Sequence, residues 1–100
     1  MDTFIILSKY TPEGRKYAGP DLARKRWAVI AASLEKTLQG KVLSHHVTMG
    51  NYDSVVIFAI PPGRQFQLFQ CLIALQVPGD VEITVMPAWE FDTFAPPAKP

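Results

Sequence analysis

Cysteine is nearly missing from the sequence: Cys71 stands alone among 100 residues. One thiol cannot close an internal disulfide, so the fold must hold by burial, and a reducing, cytoplasmic location is the expectation. The opening Met1-Asp2-Thr3-Phe4-Ile5 has no basic segment ahead of a long apolar one, so no secretory leader is expected. Nor does any apolar run reach the 18 residues that would suggest a bilayer span, and no membrane partner is anticipated. Charge of one sign is lacking too. Ten Lys plus Arg against nine Asp plus Glu leave a net charge of +1, which argues against a dedicated polyanion binder. Gly14 and Gly19 are too sparse for a phosphate loop, and no paired carboxylates fall at metal-ligand spacing. No metal or cofactor is expected.

What the chain does have is apolar residues, 48% of the total against 19% charged, enough for one globular core and too many for disorder. The charges are unevenly spread: residues 9–41 hold eight bases and three acids, and the remainder is acidic. Such a split can draw an anionic ligand to the first half, although a solvated helix face is the commoner cause.

Thr3 to Lys9 is short, β-branched and apolar at both parities, as a central strand buried on two faces should be. Tyr10 to Gly19 reads as a loop. Pro20 and Asp21 open a helix, and Ala23, Trp27, Ile30, Leu34 and Leu38 keep one stripe of it apolar until Gly40 supplies a left-handed stop. Lys41 to Met49 and Ser54 to Ile60 form a hairpin around Gly50-Asn51, residues that tolerate positive φ. Arg64 to Val77 predicts a second long helix, ended by Val77-Pro78-Gly79, with Phe66, Phe69, Ile73 and Val77 inward and Leu68, Cys71, Leu72 and Leu75 outward. Asp80 to Trp89 alternates as a fourth strand, and Glu90 to Phe94 adds a helical turn. Residues 1–94 thus make one domain, and 95–100 a proline-rich flexible tail.

The order βαββαβ predicts an α+β, ferredoxin-like fold: a four-stranded antiparallel sheet with two helices on one face. The other sheet face is then bare. Because the first and third strands are apolar at both parities, that face should be oily, and a homo-oligomer, most simply a dimer with sheets facing, would shelter it.

The sequence resembles the GYD-domain family, within the larger group of dimeric α+β barrels. The resemblance runs over residues 3–91 and is carried by Thr3-Phe4-Ile5-Ile6-Leu7-Ser8-Lys9-Tyr10-Thr11, Glu13-Gly14, Pro20, Gly40-Lys41-Val42, and Thr48-Met49-Gly50-Asn51-Tyr52-Asp53 leading into Ser54-Val55-Val56. Asn51 stands where the family's motif would place glycine, and Asn also tolerates the left-handed region. Membership implies the ferredoxin-like fold and no particular reaction.

The leading expectation is an oligomeric protein that binds a small, mostly apolar ligand, in a cleft between helices and sheet or between facing sheets. Lys9, Tyr10 and Tyr52 are the candidate ligand contacts. Asp53 follows a turn, where a carboxylate accepts turn N–H bonds or serves as a base. His45 and His46 point to opposite faces of a strand and cannot share a metal ion. If the more polar parity faces away from the helices, His46 enters the dimer cleft, where a near-neutral group suits proton transfer. The rival is therefore a cofactor-independent enzyme, resembling small monooxygenases, isomerases or decarboxylases of the same group, with His46 or Asp53 as general base and Tyr10 or Tyr52 orienting substrate. A third reading is an assembly or regulatory protein that docks a partner through its second long helix, with Leu68 and Leu75 as probes. Cys71 reads as inert packing and Trp27 as core. Arg24, Lys25 and Arg26 fan out around their helix. Nucleic acid is not an expected partner, because the first and third strands lack the aromatic and basic alternation that stacks bases.

Overall fold

Residues 2–10 lie at the centre of the sheet, as a segment apolar on both sides must. In the computed structural model, which describes residues 1–16, 19–76 and 79–98, β1 (Asp2–Tyr10) pairs antiparallel with β3 (Ser54–Ile60) on one side and β4 (Val81–Ala88) on the other. β2 (Lys41–Val47) lies outside β3, so the order is β2-β3-β1-β4. The helices are α1 (Pro12–Arg15), α2 (Pro20–Leu38), α3 (Gln65–Gln76) and α4 (Phe91–Phe94). This is the expected α+β, ferredoxin-like arrangement.

Strand alternation sorts the side chains. Phe4, Ile6, Val56, Phe58 and Ile60 face the helices and make one core with Leu34 and Leu38 of α2 and Leu68 and Leu72 of α3. The opposite face carries rows set by the register: Ser44, Ile57, Ile5 and Met86 in one, His46, Val55, Leu7 and Thr84 in the next. Its middle is apolar and its two edges are more polar. Both edge strands are irregular: the pairing of β2 slips between Val42 and Ser44, leaving Leu43 as a bulge, and β4 contains Pro87.

The α2 stripe is as its spacing predicts, with Leu34 and Leu38 buried and Ala23, Trp27 and Ile30 half-buried. Its stop differs. Gln39, not Gly40, takes the left-handed conformation, at φ 53° and ψ 34°. Gly40 answers a different need: a Cβ there would run into the ring of Phe58 and the carbonyl oxygen of Ala59.

The second long helix corrects the sequence reading more sharply. Leu68 and Leu72 are 2% and 3% exposed, with Cys71 and Leu75 packed beside them, whereas Phe66 is 71% and Phe69 53% exposed and Ile73 is also exposed. The inward and outward stripes are exchanged. Both are apolar, so periodicity cannot choose between them. The choice is made by packing, with Leu68 and Leu72 set into the core formed by the sheet and α2; just ahead of the helix, Nη1 of Arg64 donates to the Thr37 carbonyl at 3.4 Å and to Gln67 Oε1 at 3.1 Å. Val77 and Pro78, assigned to that helix and its stop, lie outside the described residues, as do Lys99 and Pro100 of the tail.

Two connections also differ from expectation. The stretch after β1 contains the one-turn α1, capped by Thr11, whose Oγ1 accepts from the Gly14 N–H at 3.1 Å and donates to the Gly79 carbonyl at 2.7 Å. β2 ends at Val47, two residues early: Thr48 N–H still reaches the Asp53 carbonyl at 2.9 Å, but Asp53 N–H goes to the Ser8 carbonyl at 2.8 Å instead of returning to Thr48, whose Oγ1 donates to the Tyr52 carbonyl at 2.7 Å. Gly50 takes the positive φ of that turn, at 117°, and Asn51 does not.

Candidate functional site

Buried leucines tie the carboxyl half of α2 to the sheet, while the side chains of its amino half are only partly covered. Between that half and the sheet lies a cleft of about 1120 Å³. Ile6, Val56 and Ile83 are part of its floor, and Ala23, Ile30 and Leu72 part of its roof. The lining is mostly apolar because the α2 stripe and the helix-facing strand positions, chosen for a core, meet here without closing on each other.

A few polar groups interrupt this lining. Ser8 and Ser54, paired across β1 and β3, hydrogen-bond through their hydroxyls. Asp53 Oδ2 accepts the backbone N–H of Tyr10 at 2.7 Å, and Asp53 N–H donates to the Ser8 carbonyl at 2.8 Å. Together these contacts seal the ends of β1 and β3. Arg26 of α2 forms an ion pair with Asp80, whose side chain is only 14% exposed. Asp80 is itself held, since its carbonyl accepts Thr11 N–H at 3.1 Å and Gly14 packs against its backbone with no room for a Cβ. Arg15 and Lys25 also line the cleft.

His45 is the imidazole of the cleft. The bulge at Leu43 returns it to the helix-facing side, opposite Val56, and its ring lies on that of Trp27 with centroids 4.0 Å apart and planes 41° from parallel. Burial pushes its pKa below the ordinary value of 6.5, and the neighbouring charge of His46 pushes the same way. Trp27 therefore stacks on a titratable group as well as contributing to the core.

Of the residues singled out from sequence, the structure brings Tyr10 and Asp53 together in this cleft. His46 lies opposite Val55 on the sheet face turned away from the helices, and Lys9 lies on that face opposite Glu82. Tyr52 is exposed in the β2–β3 turn, outside the cleft lining. Sequence reasoning missed His45, Arg26 with Asp80, and the serine pair. Only the serines carried a signal, as matching polar positions at the ends of two apolar strands. Among the described residues, no three His, Cys, Asp or Glu side chains gather as a metal site, and no helix is long and apolar enough to cross a membrane.

A family model described as the GYD domain matches residues 4–96. No curated protein matches the chain. Among solved structures, the chain is similar to 30S ribosomal protein S6 from Thermotoga maritima, with 13% identity, a TM-score of 0.56, and coverage of 93% of this chain and 91% of the other. It is also similar to a protein described as FFRP-DM1, with 20% identity, a TM-score of 0.50, and coverage of 89% of this chain and all of the other. At such identities the likeness concerns the fold alone.

Proposed function

Since the chain belongs to the GYD-domain family, we propose that it works as a family member of the binding kind, taking a small, mostly apolar ligand between α2 and the sheet. The observation that carries this reading is the cleft of about 1120 Å³ with a largely apolar lining, slightly larger than the usual small-molecule site. Tyr10 and Asp53 belong to its polar rim, and the serine hydroxyls can meet a polar group on the ligand.

Titration with Nile red, an uncharged apolar dye, tests the cleft. Saturable binding that is lost in Ala23→Trp, which fills the roof, supports the reading. Binding unchanged by Ala23→Trp, or no binding to the parent protein, rejects it.

The open sheet face supports a homo-oligomer. Ile5, Leu7, Val55, Ile57 and Met86 form an apolar middle there, and a second copy laid sheet to sheet would bury it at about 25 cal/mol per Å². Lys9 and His46 would then border the joint. The enzymatic alternative keeps Asp53 as base with Tyr10 beside it in the cleft, and puts His46 and Tyr52 at work only if the second copy completes a site around them. The half-buried Cys71 fits a reducing, cytoplasmic setting. A docking role for the second long helix moves to its exposed Phe66, Phe69 and Ile73, because Leu68 is core and Leu75 packs against the core.

A further inference from the structure

The charges around the cleft can be paired off one by one. Among the described residues, five ionised side chains line it: Arg15, Lys25, Arg26, Asp53 and Asp80. Asp80 is matched by Arg26, and Asp53 takes the Tyr10 backbone N–H. Among the described residues, Arg15 and Lys25 have no carboxylate within 4.0 Å. Two unmatched cations therefore stand over an apolar trough. Arg26 is a third donor in waiting: the ion pair uses Nη2, and a guanidinium carries five N–H groups. Its position is set by Asp80, whose main-chain carbonyl accepts Thr11 N–H at 3.1 Å and whose backbone packs against Gly14.

We propose that the ligand of this cleft is an anionic amphiphile, an alkyl carboxylate of fatty-acid type. Its chain lies along the apolar floor and its carboxylate meets Arg15, Lys25 and the free donors of Arg26. This rests on the cleft reading above and adds the head group. An uncharged ligand would gain nothing from the cations beside the apolar lining, and a cationic one would be repelled by them. The excess of bases over residues 9–41, visible in the sequence, has its local expression here, since Arg15, Lys25 and Arg26 all belong to that stretch.

The experiment compares decanoate, decanol and decyltrimethylammonium, each below its aggregation limit, as competitors of Nile red in the parent protein and in Arg15→Gln/Lys25→Gln. Decanoate is expected to bind at least about tenfold more tightly than decanol at low salt, with the cation weakest. The double variant, which alters two exposed side chains and leaves the Arg26–Asp80 pair intact, should bring acid and alcohol to within about twofold. Octanoate and dodecanoate should bracket decanoate, each methylene changing affinity about three- to fourfold. Equal affinity for acid and alcohol in the parent protein overturns the head-group inference and leaves the cleft reading in place. So does a preference that survives the double variant. Failure of Nile red and all three amphiphiles to bind overturns the cleft reading and this inference with it.

Discussion

The carboxylate of Asp53 is bonded to the main chain of Tyr10: Oδ2 accepts the Tyr10 N–H at 2.7 Å, where β1 runs past its last pairing with β3. A turn residue thus satisfies a donor on the neighbouring strand and shapes the cleft wall. Removing the acceptor strands that N–H. Asp53→Ala should cost about 1–3 kcal/mol in urea unfolding, and Asp53→Asn, which keeps an acceptor oxygen, clearly less. Equal losses for the two variants would assign the effect to charge and not to the hydrogen bond.

The stacked pair of His45 and Trp27 gives stability a dependence on pH. Because burial and His46 hold His45 below its ordinary value of 6.5, the unfolded chain takes up that proton first as pH falls. The contribution is complete above pH 6.5 and is lost progressively as pH falls from there toward the folded-state pKa. In a Trp89→Phe background, Trp27 fluorescence should report the protonation with a midpoint below 6.5, and His45→Gln should abolish it. A midpoint above 6.5 would contradict the desolvated placement.

The exchanged faces of α3 are tested by two truncations one turn apart. Leu72→Ala empties a core position and should cost about 2–5 kcal/mol. Phe69→Ala should cost under about 1 kcal/mol, since much of the ring is already in water. The reverse ranking in chemical denaturation would restore the phenylalanine stripe to the interior.

The proposed oligomer is tested at the centre of the open sheet face. Ile57→Lys puts a charge between Ile5 and Ser44, away from the helix-side core. Sedimentation equilibrium at micromolar concentration should give a multiple of 11.1 kDa for the parent chain and a single copy for the variant. A parent protein that already sediments as one copy defeats the face-to-face arrangement.

How far the sequence could be read depended on whether one pattern dominated locally. β1 is apolar at both parities, and the α2 stripe has no rival stripe around its helix, so strand, helix and fold were all legible. On α3 the phenylalanine and leucine stripes are equally oily, and the choice belongs to packing against β1, β3 and α2, elements distant in sequence. In β2 the Leu43 bulge breaks the face count from Val42 onward, and a count without it sends His45 to the wrong side. The cleft is a property of how α2 meets the sheet, and the Arg26–Asp80 bond beside it joins residues far apart in the sequence. No local period encodes either.

The bulge at Leu43 and the proline in β4 have a consequence for how copies can meet. A regular outer strand offers an unbroken ladder of amide groups onto which another chain can zip, and repetition of that step grows filaments. Leu43 interrupts the ladder on one margin of this sheet, and Pro87 removes a donor on the other. Growth by strand addition is discouraged at both margins, so the face-to-face pairing proposed above would stop at a closed particle.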